Sequence, residues 1–223
     1  MKTLLFTILP VLFLFSSCKK EDSKTNSRES TTYINTKSGS SWTYHEINSS
    51  GSTAIESDYT ITSTNRDTTI NNRSYHIYDL SFGGNRYLNI TGKDYFEFDT
   101  LPGQNKKPFE RLYLKGDASI GTSWTQSEKL MLEGVEIPIT ITNTIVENSL
   151  TKVINGRSYD KVVHVSSKIT SLYFPGNALK TDIHSYYAPN YGLIENTTNI
   201  ELDYLTLKQT FNISTTLKSA DLK

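Results

Sequence analysis

The sequence predicts an all-β protein, with an antiparallel, strongly curved sheet that forms a barrel or a sandwich from two repeats of about 80 residues. Three observations indicate this fold. Tyrosine, threonine, isoleucine and valine are plentiful, as suits pleated and half-buried strands. Apolar residues alternate at period two between turn-forming residues, as in "EIPITITNTIV" (136–146) and "RLYLK" (111–115). Two stretches of the sequence also occur twice.

The repeated stretches divide the chain into two halves. They are "GSSWTYHE" and "INNRSY" at 39–46 and 70–75, and "GTSWTQSE" and "INGRSY" at 121–128 and 154–159. Because their order and spacing agree, we infer an internal duplication. Repeat one covers 39–120 and repeat two covers 121–208.

Each repeat contains a predicted hairpin. Asn155-Gly156 is a favoured pair for a two-residue turn, in which both residues need a positive φ. Asn71-Asn72 serves the same geometry, because asparagine tolerates the left-handed region better than most residues. Strand-like runs flank both pairs, so each pair is predicted to join two antiparallel strands.

A tryptophan lies just inside the first predicted strand of each repeat. Trp42 and Trp124 occupy matching positions. A buried tryptophan supplies a large apolar area, so we expect both to anchor the core. A platform on which carbohydrate stacks is the alternative use of these rings.

The amino-terminal residues have the layout of a secretory signal peptide, predicted over 1–17. Lys2 precedes an apolar stretch, and the small residues Ser16 and Ser17 come directly before Cys18, which is the single cysteine of the chain. The apolar stretch is shorter than the roughly 20 residues that span a bilayer. An uncleaved anchor with an incidental cysteine is the alternative.

This arrangement resembles a bacterial lipoprotein signal. The third position before the cysteine, usually leucine, is Phe15 here. The resemblance implies that the signal is cut before Cys18 and that acyl chains such as palmitate are attached to that residue. Several acyl chains anchor a protein stably in a membrane.

The polar residues 18–38 predict a flexible tether, because they can bury little apolar surface. Its opening, Lys20-Glu21-Asp22, resembles the export signal of surface lipoproteins in the Bacteroidota. That resemblance implies an outer-membrane lipoprotein at the cell surface, with the periplasmic face as the alternative.

Length and charge bound the remainder of the chain. Residues 39–213 suffice for a single all-β domain, followed by a polar tail at 214–223. The chain holds 23 basic and 23 acidic residues. Its body shows no basic stripe of the kind that nucleic-acid-binding domains carry, so we expect no nucleic-acid partner.

The titratable residues show no catalytic or metal-binding spacing. The four histidines are dispersed, at His45, His76, His164 and His184. No serine has the setting of a hydrolase nucleophile. Carboxylates occur singly, at Glu97, Asp99, Glu110 and Glu195. We therefore expect no catalytic residue, no metal site, no cofactor and no enzymatic activity.

Two short motifs resemble O-glycosylation acceptor sites of the Bacteroidota. They are Asp67-Thr68-Thr69 and Asp99-Thr100-Leu101. The resemblance implies that Thr68 and Thr100 are the modified residues.

The run "SYYAPNYGLIENTT" (185–198), with the "GSSWTY" opening and the "INGRSYDKV" hairpin, resembles uncharacterised Bacteroidota lipoproteins. More distantly, the chain resembles the curved half-barrels of the lipid carriers LolA and LolB.

A non-catalytic binding or interaction module is the favoured function, with a protein, glycan or lipid as its ligand. A carrier of an apolar ligand would need a cavity of a few hundred Å³. A glycan hydrolase would need two facing carboxylates.

Overall fold

The computed structural model describes residues 32–50, 53–100, 108–132 and 134–223, and only the backbone of residues 99, 100 and 108. The predicted signal peptide, Cys18 and the tether up to residue 31 lie outside the described residues. Twelve strands form one antiparallel sheet. Within the described part of the chain, no helix is long and apolar enough to cross a bilayer.

The strands follow the chain without a crossover. They are β1 (Ser41–Asn48), β2 (Ile55–Ile70), β3 (Arg73–Leu80), β4 (Asn85–Thr91), β5 (Asp94–Thr100), β6 (Pro108–Lys115), β7 (Ser123–Leu132), β8 (Val135–Ile154), β9 (Arg157–Thr170), β10 (Leu179–Ala188), β11 (Gly192–Tyr204) and β12 (Leu207–Asp221).

The sheet consists of two six-stranded meanders that join through the first and last strands. The strand order is β6-β5-β4-β3-β2-β1-β12-β11-β10-β9-β8-β7. Ser41 at the start of β1 pairs with Asp221 at the end of β12. The sheet therefore has two edge strands, β6 and β7, which are consecutive in the sequence.

Side chains of β7 bridge the gap between these two edges. The indole Nε1 of Trp124 donates to the carbonyl of Leu112 at 2.7 Å. The Gln126 side chain accepts from the amide of Leu112 at 3.0 Å and donates to the carbonyl of Glu110 at 2.8 Å. The sheet is thus a nearly closed barrel, with side-chain hydrogen bonds along this seam. The predicted all-β, antiparallel and strongly curved fold is confirmed, and it is a barrel rather than a sandwich.

The antiparallel meander gives the barrel two distinct ends. The near end holds the connections β2–β3, β4–β5, β6–β7, β8–β9 and β10–β11, and the far end holds the other connections. At the near end, Asn71 and Asn72 have φ of 51° and 64°, and Asn155 and Gly156 have φ of 49° and 76°. Both pairs therefore lie in the two-residue turns where the repeated sequence places them.

The core fills the interior of the barrel. Its main cluster contains many aromatic side chains, including Trp42, Tyr44, Tyr78, Tyr95, Tyr113, Trp124 and Tyr187. A smaller aliphatic cluster around Ile139, Phe174 and Leu202 lies toward the far end. The alternation read in β8 reflects this arrangement, because Ile137, Ile139 and Ile141 are all buried on one face.

Two predicted boundaries need correction. The tether does not extend to residue 38, because Tyr33 and Ile34 are buried in the core. Residues 214–223 are not a tail, because β12 continues to Asp221 and pairs with β1 throughout. Strand β12 reads as polar because many of its residues face solvent, whereas Leu217 on its inner face is buried.

Candidate binding site

The segment 32–38 lies across the near end of the barrel. The amide of Asn190 donates to the carbonyl of Thr32 at 2.8 Å. The Tyr33 amide donates to the Tyr95 hydroxyl at 3.1 Å, and the Tyr33 hydroxyl donates to the carbonyl of Lys161 at 3.1 Å. These bonds connect the segment to both halves of the sheet, so it closes the near end on that side.

Close packing beneath this segment requires a glycine. A Cβ atom at Gly116 would lie 2.9 Å from a ring carbon of Tyr95 and 3.2 Å from the ring of Tyr33. Contacts below 3.0 Å between carbon atoms are repulsive, so a larger residue would displace one of the two rings. Gly116 thereby lets Tyr33 and Tyr95 meet edge to face, with ring centroids 5.9 Å apart.

A groove remains open beside the segment. Its volume is about 300 Å³, and it is lined by Ile34, Thr36, Asp67, Ser74, His76, Leu88, Asn89 and Ile90. Hydroxyl, amide and imidazole groups face three aliphatic side chains. Asp67 is the one carboxylate among these lining residues, and no lysine or arginine is among them. The groove is therefore suited to a neutral or cationic ligand that forms hydrogen bonds.

His76 is held in the groove by two hydrogen bonds. Its Nδ1 lies 2.7 Å from Oδ1 of Asp67, and its Nε2 lies 2.9 Å from Oγ of Ser63. A carboxylate accepts hydrogen bonds, so Nδ1 carries the proton. The irregularity in β2 between Ser63 and Asp67 turns both side chains toward His76.

This chain of bonds has the order of a serine-hydrolase triad, but its environment differs. Ser63 is 1% exposed. Its backbone amide donates to the carbonyl of Ser40 at 2.8 Å, which fixes it within the wall of the barrel. A nucleophile must reach the carbonyl carbon of its substrate. The buried Ser63 hydroxyl therefore orients the imidazole of His76.

A triad of ion-paired side chains surrounds one buried carboxylate of the barrel. Glu97, 3% exposed, bonds to Nε of Arg86 and, at 2.6 Å, to Nη2 of Arg111. Burial alone would raise the pKa of Glu97, but the two guanidinium groups outweigh it and lower this pKa to about 2. Glu97 is therefore ionised throughout the physiological range.

One cavity among the described interior residues is small. A cavity of about 40 Å³ lies among Trp42, Tyr44, Tyr78, Arg86 and Tyr113. Burial raises the pKa of the Tyr44 and Tyr113 hydroxyls, so both stay neutral. Ligand pockets for apolar molecules usually have volumes of about 300 Å³ or more. In the described residues, this cavity is too small for an acyl chain.

Two histidines on neighbouring strands form a second polar cluster. Glu147 bonds to Nδ1 of His164 at 2.8 Å, Nε2 of His164 lies 2.8 Å from Nδ1 of His184, and Nε2 of His184 bonds to Asp182 at 2.8 Å. The ring of Tyr186 stacks on His164, with centroids 4.1 Å apart.

Burial lowers the pKa of His164, an effect that the hydrogen bond to Glu147 opposes and the neighbouring His184 reinforces. His164 is 7% exposed, so a positive charge on its ring would be poorly hydrated.

The structure pairs each of the single carboxylates whose side chain it describes with a cation. Glu97 bonds the two arginines, Glu110 lies 3.0 Å from Arg73, and Glu195 lies 2.9 Å from Lys152. The side chain of Asp99 lies outside the described residues. Across the described chain, no three His, Cys, Asp or Glu side chains converge as a metal-binding group.

The other predicted residues lie in structural positions. Trp42 and Trp124 are buried in the main core cluster. Thr68 is half-buried in β2 and pairs with Tyr75. The side chain of Thr100 lies outside the described residues. No sequence pattern indicates the groove, since Asp67, His76 and Ile34 come together only through the fold.

Comparison with known proteins identifies the fold. No protein-family model matches the chain, and no curated protein matches it in sequence. A candidate exported protein with a YmcC-like fold from Bacteroides fragilis superposes with a TM-score of 0.50 at 12% identity. A candidate lipoprotein from Parabacteroides distasonis gives a TM-score of 0.47, also at 12% identity. Each alignment covers 86% of this chain and 99% of the other. The chain shares the fold of the Bacteroides fragilis protein.

Proposed function

We propose that this protein is a cell-envelope lipoprotein, held in the outer membrane by acyl chains on Cys18 and displayed at the cell surface. It acts as a non-catalytic binding module. The anchor rests on the signal-like sequence before Cys18, and the binding role rests on the groove beside the segment 32–38. This groove carries the proposal, because it is open, about 300 Å³ in volume and lined by hydrogen-bonding groups.

The groove favours a small, hydroxylated or amide-bearing ligand, such as a saccharide or a short peptide segment. Asp67 and His76 supply a negative charge and a rigid imidazole, while Leu88 and Ile90 offer an apolar contact. An anionic ligand would meet the Asp67 carboxylate with no cation among the lining residues. The carrier alternative finds no support in the interior, where the cavity measures about 40 Å³.

The anchor is tested by Cys18→Ala. Lipid attachment requires the thiol, so this variant should leave the membrane fraction, whereas Ser27→Ala in the tether should remain bound. Protease treatment of intact cells should degrade a surface-displayed protein and spare one at the periplasmic face. Undiminished membrane association of Cys18→Ala would contradict lipid anchoring.

The groove is tested by filling it. Ser74→Phe places a ring among the lining residues, and Ser158→Phe changes the matching exposed position of repeat two. Binding of a panel of neutral saccharides and dipeptides is followed through the NMR signals of the His76 imidazole. A ligand that binds the wild type should lose affinity at least about tenfold in Ser74→Phe and remain unaffected in Ser158→Phe.

Two results would contradict this assignment. The His76 signals would stay unchanged across the whole panel, or Ser74→Phe would bind as tightly as the wild type. Thermal unfolding of both variants controls for damage to the fold.

A further inference from the structure

Exposed apolar side chains collect at the far end of the barrel. We call them the apolar rim: Ile55, Phe82, Val135, Leu172, Tyr173 and Leu205. Each of the five connections at this end that the structure describes in whole or in part carries at least one of them at its tip or border. Leu172 is fully exposed, and Leu205 and Phe82 are 80% and 70% exposed.

The near end provides an internal comparison. Its two-residue turns are Asn71-Asn72 and Asn155-Gly156, and Asn190 lies in another connection at that end. These are the residue types that tight turns favour. At or beside the described near-end connections, three large apolar residues are exposed, Ile90, Ile120 and Val153, against six at the far end. Exposed apolar side chains are therefore concentrated at the far end.

Leu205 shows this most clearly. It has a φ of +54° in the turn between β11 and β12, a conformation that asparagine and glycine adopt at lower cost than leucine. Packing of the side chain does not offset this backbone strain, because the side chain points into solvent. A strained backbone that carries an exposed apolar group indicates a functional constraint.

Three pairs of opposite charges lie next to the rim. Lys129 lies 2.7 Å from Glu136 at the β7–β8 connection. Lys180 lies 3.0 Å from Glu201, and Lys208 lies 3.4 Å from Asp203. Each of these three pairs is neutral, so among the described residues they add no net charge beside the apolar tips.

We propose that the apolar rim inserts into the interface of a lipid bilayer with uncharged or zwitterionic headgroups. The rim residues stand on separate turns around one end of a barrel, so they define a broad ring instead of a groove. A bilayer surface can receive all of them together, because it is wide, flat and deformable. Apolar side chains then transfer from water to the acyl boundary, while the paired charges stay at headgroup level.

Lipid attachment at Cys18 and insertion of the apolar rim can involve the same membrane. The chain from Cys18 to Thr32 can extend to at most about 50 Å. Strand β12, with 15 residues, spans a similar length at about 3.3 Å per residue, and less along the barrel axis because barrel strands tilt. The rim is independent of the groove at the near end, so either proposal can fail without the other.

The experiment measures partition onto phosphatidylcholine vesicles by flotation. The protein begins at residue 18, as after cleavage of the signal peptide, and carries Cys18→Ala, so that neither the signal peptide nor acyl chains contribute. Phe82→Asn, Leu172→Asn and Leu205→Asn together should lower the partition coefficient at least about 100-fold, while Ile120→Asn with Val153→Asn, exposed apolar residues outside the rim, should change it less than about threefold.

Salt and stability separate insertion from other effects. Partition should stay nearly constant from about 0.05 to 0.5 M salt, because screening acts on charges and not on apolar transfer. Leu205→Asn should unfold at the same or a higher temperature than its parent, which shows that lost binding is not lost folding. Vesicle binding that is absent, or that is equal in the rim and control variants, would overturn the proposal and assign the rim to a protein contact.

Discussion

Glu97 is the residue on which the charge balance of the barrel interior depends. It separates Arg86 and Arg111, and its own burial is tolerated because both guanidinium groups bind its two oxygens. Removing one member of a buried charge cluster leaves the others without compensation. Substitution of Glu97 should therefore destabilise the folded protein.

We expect Glu97→Gln to lower the free energy of unfolding by about 1–3 kcal/mol, because Arg86 and Arg111, whose side chains are 24% and 38% exposed, would lose the buried carboxylate that they share. Urea denaturation at neutral pH measures this change. Glu201→Gln removes a carboxylate from an exposed pair with Lys180 and should cost less than about 1 kcal/mol. Equal effects of the two substitutions would show that the triad does not support the fold.

The histidine pair belongs to the scale of elements, because it joins three neighbouring strands. Glu147 lies in β8, His164 in β9, and His184 with Asp182 in β10. Protonation of His164 would place a positive charge on a residue that is 7% exposed. Lys152, 3.8 Å from the centroid of the Tyr186 ring that stacks on His164, already places a positive charge nearby.

The pH dependence of stability should report this pair. The folded-state pKa of His164 lies below its ordinary value of 6.5, so the unfolded chain binds more protons in the interval between the two values. The contribution of His164 is fully present above about pH 6.5 and is lost as the pH falls through its folded-state pKa.

The midpoint of thermal unfolding between pH 7.5 and 5 measures this effect. The wild type should lose stability more steeply than His164→Gln as the pH falls. Ser166→Ala, on the same strand, should keep the wild-type slope. Parallel curves for the wild type and His164→Gln would contradict the assignment.

At the scale of the whole molecule, the barrel is closed by main-chain pairing everywhere except at the seam between β6 and β7. There the side chain of Gln126 takes the place of a backbone neighbour for Leu112 and Glu110. Gln126→Ala should therefore cost about 1–3 kcal/mol, because it removes two hydrogen bonds to main-chain groups of half-buried residues.

Hydrogen exchange measured residue by residue tests the role of the seam. The Leu112 amide should exchange faster in Gln126→Ala, while amides in the paired strands β1 and β12 should keep their protection. Gln209→Ala, on β12, is the matched control. Unchanged protection of Leu112 in Gln126→Ala would show that the seam does not depend on this side chain.

Much of this architecture was readable from the sequence, because it depends on local patterns. The period-two alternation and the pairs Asn71-Asn72 and Asn155-Gly156 report strands and turns directly. Pairing across long distances left no such local pattern. The segment at Tyr33 looks like part of a polar tether, and the end of β12 looks like a tail, until both find partners elsewhere in the barrel.

The candidate sites were harder to predict for the same reason. Asp67 and His76 are separated by a hairpin, and Ile34 reaches them from the amino-terminal segment. The residues of the apolar rim are scattered between positions 55 and 205. Single apolar residues in turns form no pattern that predicts a shared surface. Only the meander places them at one end.

The union of β1 with β12 has a consequence for how the chain matures. Until residues 207–221 have been synthesised, β1 has β2 on one side and an open edge on the other. Such edges readily pair with other chains, and contacts between residues so distant in sequence form slowly. A chain that ends before β12 would therefore form an incomplete barrel whose exposed β1 edge is prone to aggregation. The 15 residues of β12 are needed to cover this edge.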